Sequence, residues 1–219
     1  MKLYAVNGSP NCRKIQAVLN HLKIDAEIEW MDFFTGELKH DDFLAMNPNG
    51  KVPVLKDGDF VLWESNAIMQ YIADQAGDTP LFPRDPARRA NIVRWQCWEL
   101  AHFNHAFGTI AFEAVLKTMF KMGETNAALV EANAQSLNQY AAVLERHLSK
   151  QQGAYVTGDD VTLADYSIIH MENFKEAIPL DWSPYPAVNQ YFDRVRGLNH
   201  WSSTAPSDPS QIGRRPQRV

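Results

Sequence analysis

Asn47-Pro48-Asn49-Gly50-Lys51-Val52-Pro53-Val54-Leu55, then Lys56-Asp57-Gly58-Asp59-Phe60-Val61-Leu62-Trp63, then Glu64-Ser65-Asn66 is the stretch that decides the fold. Asn47 to Gly50 mark a turn, and Val52 to Leu55 form an apolar strand that carries a proline. Asp57-Gly58 is a hairpin signal, Phe60 to Trp63 a second strand, and Glu64-Ser65 the start of a helix. A proline in a strand beside a helix start that can hold an anion predicts a small-molecule site.

Working outward, Lys2–Val6 reads as a short apolar strand and Asn7-Gly8-Ser9-Pro10 as a loop. Ile15, Val18, Leu19 and Leu22 recur at helical spacing, which predicts a helix from Asn11 to about Leu22. Ala26, Ile28 and Trp30 alternate with acidic residues, the pattern of a half-buried strand. A loop over Phe33–Lys39, a short helix over Asp41–Met46, and a helix from Glu64 to Ala76 with Ile68, Met69 and Ile72 inward complete the unit. The order β-α-β-α-β-β-α predicts an α/β domain over residues 1–77.

Residues 78–88 hold Pro80, Pro83 and Pro86 and read as a linker. Beyond them the pattern changes to helical periodicity over 87–122 and 124–149, broken at Gly123. Thr162-Leu163-Ala164-Asp165 matches a capping box with Asp in place of Glu. It opens a helix to about Lys175, and another spans Pro186–Arg196. Asp165 reads as a folding residue, not a catalytic one. An all-α domain is therefore expected over 89–201. Residues 202–219, rich in Ser, Pro and Asp and ending with Arg214, Arg215 and Arg218, are expected to form a flexible tail.

The 219 residues suffice for two modest domains, and 45% hydrophobic with 21% charged residues is globular composition. A net charge of −5 gives no broad invitation to nucleic acid or acidic membrane. Two cysteines, Cys12 and Cys97, make no disulfide framework, and no metal-ligand spacing occurs, so no metal is expected. The polar N-terminus lacks a secretory pattern and no apolar run approaches the roughly 20 residues of a membrane span. A cytoplasmic location is the expectation.

Four stretches together resemble the cytosolic glutathione transferase family: Ser9-Pro10-Asn11-Cys12-Arg13, Asn47 to Leu55, Trp63-Glu64-Ser65-Asn66-Ala67-Ile68, and Leu163-Ala164-Asp165. They occur in the family's order, and the resemblance covers roughly residues 1–200. The pattern is similar to that of serine-type members of theta-, phi- or nu-like bacterial kind. The resemblance implies a thioredoxin-like domain followed by a helical bundle, and glutathione as co-substrate.

Ser9-Pro10-Asn11-Cys12 follows a strand and opens a helix, where a thioredoxin-type Cys-x-x-Cys would sit. With a hydroxyl at its first position it cannot run a protein disulfide cycle. A hydroxyl at a helix N-terminus can instead donate a hydrogen bond to a bound thiolate. Cys12 reads as a small buried residue. The resemblance makes Ser9 and Asn11 the catalytic pair. It assigns glutathione binding to Lys39, Lys51, Val52, Pro53, Glu64 and Ser65, with a cis peptide bond before Pro53. It places an apolar electrophile pocket near Phe33, Phe107 and Phe112.

Three functions are consistent with these residues. The leading one is a transferase in which Ser9 activates the glutathione thiolate for attack on hydrophobic electrophiles, a detoxification chemistry. The others are a glutathione-dependent disulfide or peroxide reductase, and a non-catalytic binding protein. The resemblance also implies a homodimer.

Overall fold

The computed structural model describes residues 1–216; Arg218 of the basic chain end lies outside them. The described chain divides into two units, one of Met1–Thr79 with residues 198–216, the other Pro80–Gly197.

The first unit is built on strands β1 (Lys2–Val6), β2 (Glu27–Met31), β3 (Val54–Asp57) and β4 (Phe60–Trp63), in the order β2-β1-β3-β4. Helices α1 (Pro10–Leu22), α2 (Asp41–Met46) and α3 (Ser65–Gln75) connect and cover them. β1 and β2 run parallel through the α1 crossover, whereas β3 pairs antiparallel with both β1 and β4. The Asp57-Gly58 turn sets the β3–β4 register, with Asp57 opposite Phe60. Because strand side chains alternate, Tyr4 and Val6 face a cluster with Leu38, Phe43 and Val54. Leu3 and Ala5 point the other way and are also buried, as are Ile15, Val18, Ile68 and Ile72 of α1 and α3. This is the thioredoxin-like α/β arrangement.

Past Trp201 the chain makes defined contacts within this unit where the sequence suggests a loose tail. Helix α10 (Asn199–Ser202) packs on α1. Trp201 is fully buried beneath the Arg13 guanidinium, 4.4 Å from its ring centroid. Charged and Pro-rich composition hides this contact, because one buried Trp and backbone hydrogen bonds anchor the segment.

The second unit is helical. α4 (Pro86–Trp98) begins at Pro86 and is capped by Asp85, whose carboxylate accepts the Arg88 amide at 2.8 Å. The expected helix 87–122 is present but interrupted. α5 (Asn104–Ala111) and α6 (Lys117–Phe120) are separated from their predecessors by wide π-type turns at Glu99–Phe103 and Phe112–Leu116. α7 (Ala127–Lys150), α8 (Leu163–Ile169) and α9 (Pro186–Arg196) complete the unit. α8 stops short of the expected Lys175, and a single 3-10 turn covers Glu172–Phe174.

Asp165 ties this unit together. Its carboxylate accepts the Thr162 amide at 2.7 Å, the Thr162 hydroxyl at 3.0 Å, the Val156 amide at 2.9 Å and the Tyr191 hydroxyl at 2.9 Å. Burial pushes its pKa up, and those donors pull against the rise. Among the described residues no helix is long and apolar enough to cross a membrane.

Candidate functional site

Ser9 stands at the start of α1 with extended backbone angles, followed by Pro10 in the first turn. No helix amide donates to its side chain, so the hydroxyl is not used as an ordinary cap. The Cys12 thiol one turn on is completely buried. Burial pushes its pKa up to about 11, opposed by hydrogen bonding from the Ser9 side chain and the Val6 backbone. Cys12 is therefore a protonated, inward-facing thiol at neutral pH.

Asn11 faces α3: its side-chain oxygen accepts the Ser65 hydroxyl at 3.1 Å, joining two residues 54 apart in sequence. Ser65 opens α3 and is buried, while Glu64 before it is exposed. Glu64 has φ 72° and ψ 110°, a conformation that costs a non-glycine residue about 1–3 kcal/mol. No side chain caps α3, which leaves its first amides directed at whatever binds there.

The 47–53 stretch is held from within. The buried Asn47 side chain donates to the Lys51 carbonyl at 2.7 Å and accepts the Asn49 amide at 3.1 Å. This Asx-type turn delivers the chain to the Val52–Pro53 bond, which is cis, as the resemblance implies. Pro53 is buried and Val52 half-buried, at the mouth of β3. Lys39 and Lys51 are both exposed, and the Lys39 ammonium folds over the Gly50 backbone. The structure thus brings Asn11 and Ser65 together, and Lys39 beside the 47–51 turn.

The apolar candidates divide. Phe33 is 44% exposed at the end of the β2 segment, with its ring 5.5 Å from that of Phe34. Phe112 is 39% exposed in the second unit, with the Lys117 ammonium 5.8 Å from its ring. Phe107, expected in a ligand pocket, lies in the core instead. It is fully buried, with ring centroids of Phe103 and Trp182 at 5.8 and 5.9 Å. On α5 its spacing from Phe103 puts it on the inward stripe, which sequence alone does not distinguish from a ligand-facing one.

Two features near the site escape a sequence reading. Lys14 is almost wholly buried and donates to the Asn66 side chain at 2.9 Å, a second link between α1 and α3. Its sign in sequence is a Lys at a core-facing position of an apolar helix, visible only once the helix is aligned. Asn7 hydrogen-bonds the Gln211 carbonyl at 3.1 Å, which no local pattern announces.

The first 74 residues match the family model of the glutathione S-transferase N-terminal domain, and residues 111–200 match that of its C-terminal domain. Glutathione S-transferase 3 of Zea mays is 39% identical over 167 residues, 75% of this chain and 73% of the relative. Glutathione S-transferase GstB of Escherichia coli is 31% identical over 199 residues, 88% of this chain and 91% of the relative. Glutathione transferase F7 of Populus trichocarpa superposes with a TM-score of 0.85 at 25% identity, covering 93% of this chain and 96% of the other. A glutathione S-transferase I bound with lactoylglutathione does so at 0.81 and 29% identity, covering 93% and 97%. With both family models matched in order and relatives of this identity covered over most of their length, the chain belongs to the cytosolic glutathione transferase family.

Proposed function

We propose that this glutathione transferase binds glutathione on its first unit and that the Ser9 hydroxyl stabilises the glutathione thiolate for attack on hydrophobic electrophiles. The observation that carries this reading is the Ser9 hydroxyl at the start of α1, unused by any helix amide. A free thiol titrates at about 8.5, and the thiolate is the nucleophile. Lowering that value by about two units takes about 2.7 kcal/mol, within reach of one charge-assisted hydrogen bond and a helix N-terminus. The thiol proton leaves to solvent, the sulfur forms a bond to the electrophilic carbon, and a leaving group departs with its electron pair or the electrons shift within the acceptor.

The geometry supports the binding roles proposed here. The backbone of Val52, before the cis Pro53 and just ahead of β3, is offered to the cysteinyl part of the ligand. The uncapped start of α3 suits the γ-glutamyl carboxylate, with Ser65 oriented by Asn11. Lys39 and Lys51 supply cations for the glycyl end. Phe33 on the first unit and Phe112 on the second are each proposed as separate candidates for contact with the electrophile; the buried Phe107 is not.

Kinetics of Ser9→Ala with a chromogenic aryl halide test this reading. We expect kcat to fall about 100-fold, the scale of a lost transition-state donor, with the glutathione Kd changed less than about threefold. Unchanged kcat in the folded variant contradicts the assignment. High activity of the parent protein on an organic peroxide or mixed disulfide, with none on aryl halides, replaces transfer by glutathione-dependent reduction.

A further inference from the structure

The chain end touches the Ser9 loop from several directions at once. Arg13, one turn into α1, donates from Nε to the Thr204 hydroxyl at 3.1 Å. The Asn7 side chain donates to the Gln211 carbonyl at 3.1 Å, and the Gly213 amide donates to the Asn7 carbonyl at 2.9 Å. The Gly213 carbonyl in turn accepts the Phe33 amide at 2.8 Å. Residue 213 therefore bridges two loops: the β1–α1 loop carrying Ser9, and the segment after β2.

The approach is as close as the backbone permits. A Cβ on Gly8 would stand 3.0 Å from Ile212 Cγ1 and 3.1 Å from Pro206 Cγ. A Cβ on Gly213, where φ is +83°, would stand 2.8 Å from a Phe34 ring carbon. Arg215 fastens the far end, 3.0 Å from a Glu37 carboxylate oxygen and 3.7 Å from one of Glu29. Glu37 itself accepts the Asp32 amide at 3.1 Å, which joins the anchor to the same loop.

We propose that residues 204–215 form a strap that positions Ser9, so the reach of its hydroxyl to the glutathione sulfur is set by the chain's end. Gly213 is the central positioning residue. The strap is bonded to Asn7, two residues before Ser9, and to the helix that Ser9 opens. Hydroxyl placement matters on the ångström scale for a single charge-assisted hydrogen bond. The proposal rests on the role given to Ser9 above.

The test uses the full chain with Gly213→Val, in which a branched side chain meets Phe34 at a positive φ. Arg215→Ala, a surface change that leaves the core intact, serves as a milder second variant. Three quantities are read: hydrogen exchange of the Phe33 amide, kcat against glutathione KM, and the thiol pKa of bound glutathione. In Gly213→Val, Phe33 exchange is expected to rise at least about tenfold as its acceptor is displaced. We expect kcat to fall about 10- to 100-fold with KM nearly unchanged, and the bound thiol pKa to move back toward about 8.5. Arg215→Ala shifts all three the same way by less.

Faster Phe33 exchange with kcat and thiol pKa unmoved overturns the proposal, as does a loss confined to KM. An unchanged bound-thiol pKa in Gly213→Val beside a lost one in Ser9→Ala defeats the strap alone. An unchanged bound-thiol pKa in Ser9→Ala defeats the Ser9 reading, and the strap's role with it.

Discussion

Two cysteines of equal intrinsic reactivity are separated by burial alone. Cys97 is exposed, whereas Cys12 is sealed and its pKa raised to about 11 because desolvation penalises the thiolate. At mildly alkaline pH Cys12 should therefore stay protonated and inaccessible, while Cys97 lies open to reagents. Alkylation of the native protein at pH 8 should label Cys97 only, as read by peptide mass, with Cys12 labelled after denaturation. Rapid native labelling of Cys12 contradicts the packing at the start of α1. At the same scale, Ser65→Ala removes both a proposed ligand contact and the partner of Asn11. Its glutathione Kd should rise about tenfold, roughly 1.4 kcal/mol, by calorimetry, while kcat at saturation falls less than about threefold. The reverse split makes Ser65 a catalytic group instead.

Elements were legible in the sequence where local chemistry dictates them. The hairpin at Asp57-Gly58, the proline-led start of α9 and the Thr162–Asp165 cap all follow from residues a few positions apart, whereas α1 and α4 begin at Pro10 and Pro86, each one residue before the expected start. What stayed hidden is that Phe107 lies inward, that α8 ends early, and which side chain clamps the 47–51 turn. Periodicity gives the face of a helix but not what covers it. Asp165→Ala strands four buried donors, two of them backbone amides, and should cost at least about 2 kcal/mol. Thermal or denaturant unfolding should show that loss, with glutathione affinity in the folded protein within about twofold of the parent. A large affinity loss in the folded variant makes Asp165 more than a structural residue. Asn47→Ala belongs to the same scale. Loss of its clamp on Lys51 should weaken glutathione binding about three- to tenfold, together with about 1 kcal/mol of stability, by parallel titration and melting.

Across the whole molecule, the sequence announces the change from α/β to helical character near Pro80 but not the chain's return to its first unit. A polar, Pro-rich segment can be ordered by a few backbone hydrogen bonds and one aromatic anchor, and composition records neither. Trp201 is that anchor. Trp201→Ala should cost about 3–5 kcal/mol and raise hydrogen exchange in α1 while α7 stays protected. Uniform loss of protection in both helices contradicts a chain end that belongs to the first unit. The central claim, a glutathione sulfur ionised by Ser9, is tested most directly by ultraviolet thiolate absorbance on titrating the protein with glutathione at pH 7. Free thiol at this pH is about 3% ionised, whereas a pKa lowered by about two units gives about three-quarters thiolate in the complex. The account predicts that signal in the parent protein and its loss in Ser9→Ala at equal saturation. An equal signal in both proteins contradicts it.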